Sequence, residues 1–396
     1  MKKRLVSLLC LLSCFMAPTC AAEEVSGDTI RFSTLFNKTM FQGSSQDSLT
    51  RARHKKTFFH RMGNVFTRFF REFSTIDTAY IEPQHYNYTV MLQNTNTYEQ
   101  YALSSKDGQK ITFAPDPTFR LGPYVGWRWV FLGYTLDLKH ISFSSQHSSK
   151  KEFDLSLYSS MLGIDLYWRQ TGNDYHINKM RGLDGADYTT LRDVPFKGFK
   201  ASIKGANLYY IFNHRKFSYP AAYSQSTVQR RSAGSLLLGI GYTQHNLKVD
   251  WDELGNILDE KLGKKADGES WIDPDLKFSE IKYFDISASC GYAYNWVFAK
   301  NWLFNASTSV GLAYNQSNSD TDGGHSHLKF HDFSFKNFNL DGIGRFGIVW
   351  NNTKWYVGSS MVIHSYNYKK ELFSTNSWFG SVNIYVGVNF GKKKNQ

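Results

Sequence analysis

The sequence predicts an all-β protein: an antiparallel, up-and-down transmembrane β-barrel of about twelve strands, preceded by a signal peptide and a basic amphipathic helix. Three observations predict this class. Apolar and polar residues alternate along runs of roughly 10 to 14 residues, long enough for tilted membrane strands. Tight turns alternate with long polar connections. Aromatic residues make up 16% of the chain and recur near the ends of the runs.

The first 22 residues are predicted to be a signal peptide. Residues 2–4 form a charged start, residues 5–17 an apolar run, and small residues follow, with cleavage near Ala21 or Ala22. The apolar run is short for a retained membrane anchor. Lipid attachment at Cys20 is an alternative, but its neighbours are poor for that modification.

Two segments precede the barrel. Residues 23–50 mix polar residues without periodicity and are interpreted as a flexible leader. Residues 51–76 have apolar side chains at helical spacing, with arginines on the opposite side, which predicts an amphipathic helix. Such a helix could lie on an anionic membrane surface, or pack at the mouth or inside the barrel, and the pattern does not separate these alternatives.

The overall composition excludes several classes of protein. No later stretch is apolar over 18 residues, so no transmembrane helix is predicted. Beyond the signal peptide only Cys290 remains, and one thiol cannot form an internal disulfide. The net charge of +12 is spread over several regions without a nucleic-acid-binding module, so nucleic acid is not an expected partner.

The barrel domain is assigned to residues 80–396. The final strand shows the alternation well: from Trp378 to Phe390, every second residue suits lipid, and the intervening residues suit water. Strands are predicted near residues 86–95, 119–127, 129–138, 152–158, 162–169, 199–212, 232–244, 281–296, 301–314, 338–350, 354–367 and 378–390. The run Lys200–Phe212 alternates poorly, which the barrel hypothesis does not explain.

The connections between these strands follow a rhythm. Tight turns are expected near Arg128 and at 159–161, 297–300 and 351–353, and long polar connections at 139–151, 170–198, 245–280, 315–337 and 368–377. Residues 213–231 break the rhythm, being long where a short turn is expected. An even strand number would place both ends of the barrel domain on the periplasmic side.

No catalytic constellation is recognisable. His364 and Ser365 are adjacent on a strand and so point to opposite faces. His325, His327 and His331, in an Asp- and Gly-rich loop, are weak candidates for a metal site. We expect inward-facing charges, which could fill the lumen with ion pairs or line a pore, at Arg120, Asp137, Asp154, Asp165, Arg169, Asp285, Asp341 and Arg345.

Three stretches resemble a known family: YIEPQHYNYTVMLQNTN (80–96), FAPDPTFRLGPYVGWRWVFLGYTLDL (113–138) and FDLSLYSSMLGIDLYWRQTGNDYHI (153–177). They are similar to domain of unknown function 4421, a family of exported Gram-negative proteins. The resemblance implies an exported, barrel-like β structure over most of the mature chain. It implies no activity, and no catalytic residues are carried over.

The predicted function is that of a non-enzymatic outer-membrane barrel, either a narrow pore for small solutes or a surface-exposed binding or structural protein. The expected partners are the lipid bilayer and small solutes, and no cofactor is expected. One alternative is an outer-membrane enzyme acting on lipid or glycan. The other is a soluble periplasmic β-sandwich that binds a ligand, because such sandwiches also alternate.

Overall fold

A computed structural model describes residues 75–127, 130–133, 136–137, 151–172, 174–183, 187–265, 268–278, 280–317, 337–369 and 372–393. Its strands are β1 Ile81–Pro83, β2 Tyr86–Ser105, β3 Lys110–Pro115, β4 Thr118–Trp127, β5 Val130–Gly133, β6 Leu136–Asp137, β7 Lys151–Tyr158, β8 Leu162–Gln170, β9 Tyr175–Arg181, β10 Val194–Pro195, β11 Phe199–Ile211, β12 Thr227–Gln229, β13 Ala233–Val249, β14 Ile281–Ala299, β15 Trp302–Ser317, β16 Phe338–Asn351, β17 Trp355–Lys369 and β18 Phe373–Lys392. Two α-helices are described, α1 Pro220–Tyr223 and α2 Trp251–Leu262, and two 3-10 turns, Tyr188–Leu191 and Pro274–Leu276.

In the part of the chain that the structure describes, one antiparallel sheet of 16 strands forms the body of the protein. Neighbours in sequence are mostly neighbours in space, from β7 and β8 through β11 and β13 to β18. The last strand then pairs with the first long one, β18 with β2, and β2 continues to β4, β5 and β6. The sheet is therefore an up-and-down barrel wall, as the sequence predicts.

The predicted strands correspond to the elements of this wall. Each predicted range overlaps a strand, with residues 129–138 divided between β5 and β6. The main differences lie at the end of the barrel with long connections, where β2 extends to Ser105 and β13 to Val249. There β2 pairs with β3, which pairs with β9, and β9 with β10, so the sheet continues beyond the predicted wall.

The rhythm of short and long connections is reproduced, and its one irregularity has a structural cause. The turns β7–β8, β14–β15 and β16–β17 are short, and all lie at the end where β2 begins and β18 ends. Residues 213–231 also belong to this end, but they fold into the barrel interior and carry α1 and β12. We call residues 213–231 the plug.

The long connections at the opposite end are folded. They contain β9, β10, α2 and the two 3-10 turns, where the sequence indicated only polar connections. Their apolar side chains form one buried cluster with inward residues of the wall, including Ile177, Leu254, Leu258, Phe199 and Tyr366. We call this layer, residues 171–198 and 250–280 as described, the cap.

The outer face of the wall is apolar. Its most exposed large side chains include Ile240, which is 64% exposed, Leu340 at 61% and Val310 at 55%. Aromatic residues flank them near the strand ends, among them Tyr88, Trp296, Trp302, Trp355, Phe390, Tyr98, Phe153, Trp168, Tyr242 and Trp378. An apolar band with aromatic borders is the outer surface expected of a membrane barrel.

The poor alternation of residues 200–212 follows from what fills the barrel. In β11 the inward side chains include Phe199, Ile203 and Ile211, and all three are buried. Phe199 and Ile203 pack in the cap cluster, and Ile211 packs against the plug. Apolar residues thus face inward because the cap and plug, rather than water, contact the wall at these levels.

Tyrosine rings lie over glycines of the neighbouring strand inside the barrel. Tyr209 is paired with Gly163, and Tyr167 with Gly205, on β8 and β11. A Cβ built on Gly163 or Gly205 would lie 2.1 Å from the ring opposite. Glycine is required here because any side chain would displace a buried ring.

Within the described residues, no helix is long and apolar enough to cross a membrane. The predicted signal peptide (1–22), leader (23–50) and almost all of the amphipathic helix (51–76) lie outside the described residues, as do His325, His327 and His331.

Candidate functional site

The middle of the barrel is crossed by a buried ion pair. Arg345 of β16 and Asp165 of β8 form a salt bridge, although four strands separate β8 from β16 in the sheet. Both side chains are almost fully buried. Ser156 Oγ donates to the Asp165 carboxylate at 2.7 Å, and the Arg345 guanidinium lies 4.8 Å from the centre of the Tyr209 ring. The opposing walls therefore meet at this level.

A second buried arginine lies nearer the cap. Arg169 Nη2 is 2.6 Å from Asp154 Oδ2, and Nη1 is 3.8 Å from Glu99 Oε1. Its guanidinium also stacks on Phe379, with 4.6 Å to the ring centroid. The hydroxyl of Tyr175, in the cap, donates to Glu99 at 2.8 Å. Arg169 thus links four elements of the wall, and Glu99 joins this group to the cap.

A polar chamber of about 250 Å³ lies next to these arginines. Side chains of β2, β7, β8, β17 and β18 line it, together with Tyr124 of β4 and Tyr223 of the plug. The groups with charge or hydrogen-bonding capacity include Gln93, Thr95, Asp154, Asp165, Arg169, Ser360, His364 and Asn383. The chamber can hold water or a small polar solute.

The plug is held by buried hydrogen bonds. Tyr219 Oη donates to Ser307 Oγ at 2.7 Å, and Tyr223 Oη donates to Asn305 Oδ1 at 2.6 Å. The Gln225 side chain bridges two strands. Its Nε2 donates to Tyr385 Oη at 3.0 Å, and its Oε1 accepts from Asn351 Nδ2 at 3.0 Å. The short-turn end of the interior is therefore filled by a segment that is hydrogen-bonded to several strands of the wall.

The plug is also tied to the residues before the first wall strand. β12, within the plug, pairs with β1 from Ile81↔Gln229 to Pro83↔Thr227. Arg230 forms a salt bridge with Glu82 beside this pairing. The segment that precedes the first wall strand, β2, is thus hydrogen-bonded to the plug.

A different polar cluster lies under the cap. His245 of β13 and Asp285 of β14 are buried neighbours, with 3.5 Å between His245 Nε2 and Asp285 Oδ2. The His245 ring stacks on Tyr283 with centroids 4.5 Å apart and meets Tyr366 edge-on at 5.4 Å. Asp341 of β16, also buried, accepts from the Asn367 backbone N–H at 3.3 Å.

The outer rim carries a cavity of about 750 Å³. It lies where β3 gives way to β4, between the starts of β9 and β10 and the aromatic border of the outer face. Its lining includes Tyr98, Trp378, Asp116, Asp174, His176, Asn178 and Asp193. We call it the rim pocket. It combines exposed aromatic rings with carboxylates and lacks a lining arginine or lysine among the described residues.

The predicted inward charges occupy different environments. Asp165, Arg169, Asp285, Asp341 and Arg345 are buried in the interior, while Arg120 is half-buried and Asp154 partly exposed. The side chain of Asp137 lies outside the described residues. The structure joins Arg345 with Asp165 and Arg169 with Asp154, whereas Asp285 and Asp341 belong to the separate cluster under the cap.

Sequence reasoning missed Glu99, His245 and the plug residues. Glu99 continues the inward series of β2, but the predicted strand ended at residue 95. His245 was placed at the start of a loop because the predicted strand ended at residue 244, whereas β13 continues to Val249. Extending each alternation by a few residues would have identified both side chains as inward.

One group of acidic side chains lies among the long connections. Asp107, Asp273 and Asp275 each offer a carboxylate oxygen within 4.8 Å of the others. The Asp273 carboxylate already accepts from the Asp275 backbone N–H at 2.9 Å, where it caps the 3-10 turn Pro274–Leu276. This hydrogen bond gives the cluster a local structural role.

The fold and interior define a class: an all-β, antiparallel up-and-down barrel whose interior is filled from both ends. Residues 75–390 match the family described as Domain of unknown function (DUF4421), and the chain belongs to this family. The resemblance noted in the sequence is thereby confirmed. No curated protein matches the chain.

The chain is similar to several solved outer-membrane proteins at low identity and low TM-score. The outer membrane protease OmpT from Escherichia coli is 7% identical, with 80% of this chain and 100% of that chain covered and a TM-score of 0.31. The translocator domain of the autotransporter NalP from Neisseria meningitidis is 10% identical, with 86% and 97% covered and a TM-score of 0.26. The outer membrane protein OprG from Pseudomonas aeruginosa is 11% identical, with 78% and 98% covered and a TM-score of 0.21. The barrel assignment rests on the strand pairing of the chain itself.

Proposed function

We propose that this protein is an outer-membrane β-barrel that is closed to bulk ion flow, is not an enzyme, and binds a small ligand in the rim pocket. The membrane location is supported by the apolar outer face: residues such as Ile240 and Leu340 would be fully hydrated in a soluble barrel. Short turns then lie on the periplasmic side and the rim pocket on the outer side. Export requires the signal peptide predicted to be cleaved near Ala21 or Ala22.

The filled interior is the main support for a barrel that is closed to ion flow. The plug, the Arg345–Asp165 pair and the cap occupy successive levels of the lumen. Each level is joined to more than one part of the wall, which supports a lumen closed to a continuous water column within the described part of the barrel. The role is then binding or structural in the state described.

The rim pocket supports the binding role. Its volume of about 750 Å³ falls within the range of small-ligand sites, roughly 300–1,000 Å³. Exposed Tyr98 and Trp378 offer ring faces, while Asp116, Asp174 and His176 offer polar contacts. Because carboxylates outnumber basic groups in the lining, the favoured ligands are neutral polyols or cations.

A gated passage for small solutes is the second candidate, favoured by the polar chamber between Tyr223 of the plug and His364 of the wall. An enzyme acting on lipid or glycan is disfavoured by the position of the His245–Asp285 pair. That pair is buried beneath the cap, out of reach of a bulky substrate.

The test uses detergent-purified full-length protein in planar bilayers. The proposal expects no steady conductance from the wild type, and a gel shift between boiled and unboiled samples taken from outer-membrane fractions. A variant with residues 214–230 replaced by a short Gly-Ser turn should conduct if the chamber is a passage. Steady conductance of the wild type would reject the closed barrel, and extraction without detergent would reject the membrane location.

A further inference from the structure

The buried charges of the barrel are unevenly compensated. Asp165 is paired with Arg345, and Asp154 with Arg169. Asp285 and Asp341 differ: in the described part of the chain, neither carboxylate forms a salt bridge with lysine or arginine. Two buried carboxylates without a basic partner are either protonated or neutralised by another positive charge, because an uncompensated buried charge is strongly unfavourable.

The same cluster contains polar atoms without hydrogen-bond partners. Both ring nitrogens of His245 and both carboxylate oxygens of Asp285 are buried and unpartnered, and so is Asp341 Oδ2. His245 is 1% exposed and Asp285 2% exposed. Neutral imidazole and carboxylate are the ligand types that divalent first-row metals accept.

We propose that His245 and Asp285 bind a divalent first-row metal ion, of the Zn²⁺ or Mn²⁺ class, under the cap, with Asp341 balancing its charge. His245 Nε2 and Asp285 Oδ2 are 3.5 Å apart, a separation that lets both atoms contact one ion after a small adjustment. Asp341 lies two strands from Asp285 and acts through space or through metal-bound water.

The surroundings of the pair suit a retained ion. Tyr283 stacks on the His245 ring and Tyr366 meets its edge, which fixes the ring orientation. Asn315, which pairs with Asp285 across β14 and β15, has a buried amide nitrogen without a hydrogen-bond partner, and this group can donate to a metal-bound water. Because the cap covers the cluster, the ion enters while the barrel folds and exchanges slowly afterwards.

The experiment is metal analysis of the full-length protein folded into detergent with Zn²⁺, Mn²⁺ or chelator, followed by extensive dialysis. We expect about one equivalent of metal with one of the two ions, and at least a tenfold loss of affinity in H245Q and D285N. Folding of every variant is checked by the gel shift on boiling. The metal-loaded wild type should also resist heating better than the chelator-treated protein.

Matched variants separate this site from other sources of metal. H364Q alters another buried inward histidine, and D273N/D275N removes the acidic cluster among the long connections; both should keep the metal. A wild type that folds in the presence of each ion but retains none overturns the proposal. Metal retained by folded H245Q and D285N, or lost in D273N/D275N, overturns it as well.

Discussion

Replacement of Arg345 by Met tests whether the central ion pair maintains the closed interior. The Arg345 side chain is 1% exposed and its partner Asp165 3% exposed, so solvent cannot compensate for the missing charge. Breaking a buried pair from one side costs about 3–5 kcal/mol, most of it from the charge left without a partner. Arg345→Met should therefore lower the free energy of unfolding by about that amount.

The double variant R345M/D165N tests whether the unpaired Asp165 charge causes the loss of stability. It removes both charges, so it should be at least as stable as R345M despite the additional substitution. The control is Arg230→Met: Arg230 also pairs with a carboxylate, Glu82, but its side chain is 36% exposed. An exposed pair contributes about 0–1 kcal/mol, so R230M should be nearly neutral.

The assay is equilibrium unfolding by urea of protein folded into lipid vesicles, followed by tryptophan fluorescence. The reasoning is refuted if R345M costs no more than R230M. It is refuted equally if the double variant is less stable than R345M, since removing the unpaired Asp165 charge would then bring no gain.

Three further predictions concern the outer face, the interior wall and the plug. Ile240→Arg should lower the free energy of unfolding in lipid vesicles by about 2–4 kcal/mol, as a charge on the lipid face near the bilayer centre does. Leu372→Arg, in an exposed connection, is the control and should cost little. Equal effects of the two substitutions would argue against a membrane belt. Gly163→Ala should cost about 1–3 kcal/mol by displacing the Tyr209 ring. Gly342→Ala is the control, because no atom lies within 4 Å of its Cβ. The midpoints of urea unfolding of the two variants are compared, and similar midpoints would contradict the packing argument. Gln225→Ala removes the plug partner of Asn351 and one of the two plug partners of Tyr385, and should cost about 1–3 kcal/mol. Gln84→Ala removes a bond to the Gln225 backbone carbonyl and the acceptor of the exposed His85 backbone N–H, and should cost less.

The barrel wall was predictable because the period of a strand is local information. From Trp378 to Phe390 every second residue is apolar or glycine, which predicts one apolar face of the strand. This pattern can be recognised without knowing the partner strand. The folded elements of the cap were harder to predict from the sequence. One signal was Asp250, the N-cap residue of α2, whose side chain accepts from the Glu253 backbone N–H.

The pairings inside the barrel could not be read from the sequence. Arg345 and Asp165 were both expected to point inward, but their meeting depends on how the sheet closes and how its strands are staggered. The plug was noticed only as an anomaly in connection length, because the hydrogen bonds of Tyr223 and Gln225 with Asn305 and Tyr385 join residues distant in sequence.

The pairing of β2 with β18 has a consequence for how the protein is made. Its register runs from Phe373↔Ser105 to Lys392↔Tyr86, joining the two ends of the barrel sequence. This closure must be among the last steps of folding, since it requires the whole chain and the loss of entropy of a very long loop. The plug lies inside, and its strand β12 is hydrogen-bonded to β1 just ahead of β2, so the first strand of the seam is anchored to the plug. The seam between β2 and β18 can therefore form only when the last strand of the barrel is available, so a chain that lacks β18 cannot close.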